Sequence, residues 1–184
     1  MAKMARSITS SAATFACGAL IAGCSPMPVY TPATVPSGAE AVPIRLLSER
    51  GILEQPPPYV IAAISLASLN SLVDAQYCPA GRCRGTEWAP ISGVGGDVLL
   101  ALPVIAGDEI KSVAAWRGTG NAILVAEGLL RVCSGGECTA ALQSMYLAAV
   151  PRASLPDGIV TFQVAGEQGQ SAVDLRVGVT TPSG

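Results

Sequence analysis

Two stretches near the end of the chain decide its fold: Ile159-Val160-Thr161-Phe162-Gln163-Val164-Ala165, and Val173-Asp174-Leu175-Arg176-Val177-Gly178-Val179-Thr180. In the first, Val160, Phe162 and Val164 fall on one side, Thr161 and Gln163 on the other. In the second, Val173, Leu175, Val177 and Val179 alternate with Asp174 and Arg176. A period of two is that of a β-strand with one face buried. Between them, Gly166-Glu167-Gln168-Gly169-Gln170 reads as a hairpin loop, so the two stretches pair antiparallel.

Working back from this hairpin, the β signal persists to Asp97. Val98 to Ile105 is apolar and interrupted by Pro103, which predicts an edge position or a bulge there. Ile110 to Trp116 follows and runs into Arg117-Gly118-Thr119-Gly120-Asn121, a turn sequence. Ala122 to Val132 and Thr139 to Val150 complete the set. Six strands separated by Gly and Pro turns predict a mainly β, antiparallel β-sandwich. Strand number and loop lengths resemble jelly-roll modules, a likeness of fold that carries no site. Gly93-Val94-Gly95-Gly96 reads as a turn before a strand; it lacks the Lys that a phosphate loop needs. Tyr59 to Val73 is ambiguous. Ile61, Ile64, Ala67 or Ser68, and Leu72 fit a helical stripe, while Val60, Ile61 and Ile64 fit a buried strand; length favours one helix near residues 60–73.

Upstream of Tyr59 the composition changes. Residues 25–43 hold Pro26, Pro28, Pro32, Pro36 and Pro43 among small and polar residues, and Pro56-Pro57-Pro58 follows. Such chain extends by about 3.1 Å per residue, so a tether here would hold a domain up to roughly 60 Å from its anchor. Ile44-Arg45-Leu46 within it reads as an edge strand or docking piece. The expected organisation is a leader over residues 1–23, an anchor and tether over 24–58, and the β-sandwich over 59–184.

The leader has the parts of an export signal: Lys3 and Arg6, then a small apolar run from Ala12 to Ala22. That run is 11 residues, short of the roughly 20 that a spanning helix needs. It ends Ile21-Ala22-Gly23-Cys24, an aliphatic residue, a small one, Gly, then Cys. At these positions the chain resembles bacterial lipoproteins. The resemblance implies cleavage before Cys24, diacylglycerol on its sulfur, a further fatty acid such as palmitate on its new amino group, and attachment to a membrane. Ser25, where an Asp would mark inner-membrane retention, implies the outer membrane, with the domain facing the periplasm or the cell surface.

Composition narrows what such a protein does. The chain contains no histidine, which removes the usual neutral-pH proton shuttle, the Ser-His and Cys-His catalytic pairs, and His-based zinc sites. Without the leader, 11 − 2 = 9 Lys and Arg face 13 Asp and Glu, a net charge of −4. A mildly acidic chain with no basic run is not built for nucleic acid. No nucleophile elbow or dinucleotide fingerprint occurs. Asp108 and Glu109 are adjacent in a turn sequence, poorly placed for the facing carboxylates of a glycosidase. No dense Asp-Asn loop marks a calcium site. No catalytic residue, metal or cofactor is expected.

Six cysteines are present. Beyond Cys17 in the leader and Cys24, they form two pairs of equal spacing, Cys78-Pro-Ala-Gly-Arg-Cys83 and Cys133-Ser-Gly-Gly-Glu-Cys138. In an oxidising compartment such pairs become disulfides, and a four-residue loop can bring its flanks within bonding reach. Cys78–Cys83 and Cys133–Cys138 are the favoured pairings; crossed pairings and a four-cysteine zinc site are the alternatives.

Exposed Trp beside polar residues suits a sugar or a protein partner. Arg82, Arg84 and Trp88, with Trp116 and Arg117 at the turn, are therefore the candidate contact residues. Two functions fit: a non-catalytic envelope component acting through contacts with other envelope proteins, or a displayed module that binds glycan or another small ligand. Both tryptophans on one concave face would favour glycan; a flat apolar face or an open strand edge would favour protein.

Overall fold

A computed structural model describes residues 29–52, 59–77, 88, 90–104, 108–131, 143–166 and 169–178. Ten strands and one helix make up this part: β1 Val29–Thr31, β2 Ala41–Val42, β3 Arg45–Ile52, β4 Ile61–Ala63, α1 Leu66–Tyr77, β5 Asp97–Val104, β6 Asp108–Arg117, β7 Ala122–Arg131, β8 Gln143–Pro151, β9 Gly158–Gly166 and β10 Gly169–Val177. The strands form two sheets. One runs β10-β9-β7-β6-β2, with β1 also on β7; the other runs β3-β8-β5-β4. The protein is thus a β-sandwich, and β5 to β10 are the six strands read from the sequence.

Three layers follow from which faces are buried. Between the sheets, Val98, Leu100 and Leu102 of β5 and Tyr146, Ala148 and Val150 of β8 meet Ile123, Val125, Val160, Phe162 and Val164 of the opposite sheet. The alternate residues of the same two strands, Leu99, Ala101, Met145, Leu147 and Ala149, pack on Leu69 and Val73 of α1 and on Trp88. Strands β5 and β8 are covered on both faces, which is why they read as continuous apolar runs while β9 and β10 alternate. Each large side chain so buried contributes roughly 1.5–3 kcal/mol.

The sandwich is antiparallel at every pairing among the described strands except one: β7 and β9 are parallel, Ala122 to Ala126 against Thr161 to Ala165. The cause is connectivity. β7 ends, the chain crosses to the other sheet for β8, and it returns to the first sheet in its original direction as β9. Local sequence pattern carries no record of such a crossing. The β9–β10 hairpin closes on Gly166 opposite Gly169, tighter than the five-residue loop expected.

The region 60–73 is neither all helix nor all strand. β4 occupies Ile61–Ala63 and α1 begins at Leu66. Ser65 caps the helix: its Oγ accepts from the Ser68 N–H at 3.1 Å, a bond that satisfies one orphan donor of the first turn. The buried stripe is Leu69 and Val73, with Leu66 partly buried beside them. Leu72 and Ile64, placed on that stripe by periodicity, are exposed. Ile61 and Ile64 precede the helix, whose inward stripe is Leu66, Leu69 and Val73, three and four residues apart. Pro103 lies on a central strand, but two residues past Ala101, where β4 stops pairing; beyond that point no described strand pairs with this side of β5.

The main correction concerns the expected tether. Residues 29–52, inside the stretch 24–58, supply β1, β2 and β3, which pair with β7, β6 and β8. The edge strand expected around Ile44-Arg45-Leu46 is β3. Among the described residues the sandwich therefore starts at Val29.

Candidate functional site

Registers fix which side chains share the outer face of the six-stranded sheet. Trp116 pairs with Leu124, Ala114 with Ala126, and Ser112 with Gly128. Ala126 in turn lies opposite Ala165 and Leu124 opposite Gln163. Their neighbours along each strand, Ala115, Val125 and Val164, are buried in the core, so this set points away from it. Among the described residues no helix or strand covers this face, whereas α1 covers the back of the other sheet.

The upper part of the face is crossed by residues 32–40, which carry the chain from β1 beside β7 to β2 beside β6. Ser112 holds this strap. Its Oγ accepts from the Ala33 N–H at 3.1 Å and shares a 2.9 Å hydrogen bond with the Tyr30 hydroxyl. Gly128 is required beneath it, since a Cβ there would overlap Ser112 Oγ and come within 2.5 Å of Ala33 N. Below the strap the outer face carries Ala122, Leu124, Ala126 and Ala165 together with the polar Gln163 and Thr161, with Ile159, 55% exposed, at its lower margin. At its side Thr161 donates a 2.6 Å hydrogen bond to Asp174 on β10. Among the described residues β10 pairs with β9 alone; near its start the Val60 N–H donates to Ser171 Oγ at 2.8 Å.

The candidate contact residues disperse in the fold. Trp88 is 4% exposed and belongs to the core beneath α1. Trp116 is half-buried on the outer face of the six-stranded sheet, across the sandwich from Trp88. The two do not share a concave face, and the condition that favoured glycan is not met. Arg117 is structural: its Nε donates to Glu40 at 2.7 Å and its guanidinium to the Ser154 carbonyl at 3.0 Å. It joins β2, β6 and the turn after β8. Arg82 and Arg84 lie outside the described residues, as do Cys24, Cys78, Cys83, Cys133 and Cys138.

Sequence reasoning passed over two ionisable groups. Tyr146 is buried with its ring in the core. Burial first, then the negative charges of Glu49 and Glu109, push its phenol well above its ordinary value. Ser144 donates to Glu49 beside it. A phenol held neutral in this way neither takes nor gives a proton at physiological pH; it ties β8 to β3 and β6. The second group is Glu127. It sits opposite Val113, and Val125 and Leu129 flank it on the same inward face of β7. These apolar neighbours strip hydration from the carboxyl and raise its pKa from 4.5 to about 7. That value would suit a general acid; among the described residues its neighbours on this face, Val113, Val125 and Leu129, are apolar. Asp108 is also raised, by burial, with Arg131 opposing the shift. Among the described residues no three His, Cys, Asp or Glu side chains gather to hold a metal, and no helix is long and apolar enough to cross a membrane.

No protein-family model, no curated protein and no solved structure matches this chain.

Proposed function

We propose that this chain is a lipid-anchored, non-catalytic component of the cell envelope, held to the outer membrane through Cys24 and acting by contact with other envelope proteins. The supporting observation is the outer face of the six-stranded sheet around Leu124 and Ala126, which no described helix or strand covers, bordered by β10, whose far side no described strand pairs. A sheet face that no described helix or strand covers, carrying Leu124 among alanines, offers a surface for a folded partner. Part of the β10 flank presents backbone groups on which a partner strand can add.

Site-specific photocrosslinking in intact cells tests the reading. A photoreactive residue at Ala126 is expected to give one discrete adduct, which Leu124→Arg abolishes at unchanged melting temperature. A photoreactive residue at Ala67, on the exposed side of α1, is expected to give none. Equal crosslinking from both positions, or an adduct indifferent to Leu124→Arg, would remove this face as the contact surface.

A further inference from the structure

We infer that the far side of β10 is taken by β10 of a second copy of this chain, the two strands running antiparallel about a two-fold axis at Leu175. The pairing uses the β10 flank named above, and needs neither acylation of Cys24 nor the face around Leu124. A strand edge offers unpaired N–H and C=O groups to any other strand, and proteins blunt such edges with bulges, charges or brevity. The other edges of this sandwich are blunted. β2 and β4 are two and three residues long. The register of β3 breaks between Leu46 and Ser48, and that of β6 between Ile110 and Ser112. β10 is different. From Gly169 to Val177 it pairs with β9 without a break, and among the described residues no strand pairs on its other side.

This edge is complementary to itself in one register. In an isologous pair, residue i meets residue j and j meets i. With Leu175 against its own copy, Asp174 lies opposite the partner's Arg176, and Arg176 opposite the partner's Asp174. Both residues are exposed on the outer face of the sheet. Thr161 holds the Asp174 carboxylate there with a 2.6 Å hydrogen bond, and among the described residues no carboxylate bridges to Arg176. On the inner face the same register sets Val173 against the partner's Val177 and Leu175 against its copy. Val173 and Leu175 pack on the inter-sheet core and Val177 is part of it, so the pairing extends that apolar layer from one copy into the next. Moving the axis by one residue sets Asp174 on Asp174 or Arg176 on Arg176, and like charges directly opposite are unfavourable. Charge therefore selects the axis at Leu175. The overlap lies past Ser171, where the Val60 N–H is bonded.

The test is photocrosslinking in intact cells that make the full-length chain under two different epitope tags. A photoreactive residue at Ala172, which this register sets beside the end of the partner's β10, is expected to give an adduct that carries both tags and has the mass of two chains. The same residue at Ala67 on α1 is expected to give none. Asp174→Arg leaves two arginines on the edge, and Arg176→Asp leaves two aspartates. Each variant made alone is expected to weaken the self-adduct roughly tenfold, since two attractive cross-strand pairs become repulsive. Made together under separate tags, the two variants are expected to restore it as a mixed adduct, because every cross-strand charge pair is again unlike. Unchanged melting temperatures of the purified variants show that each folds. No two-tag adduct from Ala172, an adduct with a different protein in its place, an adduct indifferent to the reversals, or a loss without recovery in the mixture overturns the pairing. Each of these outcomes leaves the outer-face contact to its own test at Ala126 and Leu124.

Discussion

Glu127→Gln is expected to stabilise the protein at pH 8 by about 3 kcal/mol and to leave it unchanged near pH 4. The carboxyl faces inward between Val113, Val125 and Leu129, and its pKa rises from 4.5 to about 7 because burial disfavours the charged form. Folded protein holds this proton up to about pH 7; unfolded protein releases it above about pH 4.5. Between those limits the native state binds more protons, so stability falls as pH rises. The difference of about 2.5 units at 1.36 kcal/mol each gives about 3 kcal/mol. Gln keeps the shape and stays neutral, so it lacks this loss. For a domain of this size the gain corresponds to roughly 6–12 °C in melting temperature. The assay is urea unfolding of both proteins at half-unit steps from pH 4 to 8. Other carboxylates titrate identically in the two and cancel in the difference. A difference that stays flat across the range would refute the assignment of Glu127 as an inward, unpaired carboxyl.

Three further outcomes are expected. Gly128→Ala forces a methyl into Ser112 Oγ and the Ala33 backbone; it should cost about 1–3 kcal/mol and expose the strap of residues 32–40 to limited proteolysis. Phe162→Ala empties the centre of the inter-sheet core, where Phe162 is 0% exposed; a loss of about 3–5 kcal/mol in chemical denaturation is expected, and less than 1 kcal/mol would mean the sheets do not meet there. Ser65→Ala removes the cap of α1; about 1 kcal/mol is expected, with faster amide exchange confined to Leu66–Leu69.

The readings that held share a physical origin. Alternation in Val160-Thr161-Phe162-Gln163-Val164 reports one buried face, and turn residues such as Gly118 and Gly120 report what the backbone must do locally; Gly120 indeed sits at φ 63°. These are properties of neighbours in sequence. The readings that moved depended on distant residues. Trp88, a candidate contact residue because polar Arg82 and Arg84 stand near it, is enclosed by α1 and the second sheet. Glu127 was one carboxylate among several until the β6–β7 register turned it inward opposite Val113.

The amino-acid order alone determined the strands from Asp97 onward and the turns between them, and it alone carries the expectation of a leader and lipid anchor at Cys24. Only the tertiary structure decided that proline-rich residues 29–52 are part of the sandwich and not a stalk, that β7 and β9 run parallel, and that the candidate tryptophans lie on opposite sides of the molecule. The reason is that a short strand such as Ala41–Val42 or Val29–Thr31 has little pattern of its own. Its extended form comes from the hydrogen bonds and buried surface that β6 and β7 provide, and those partners are some 75 to 100 residues away along the chain.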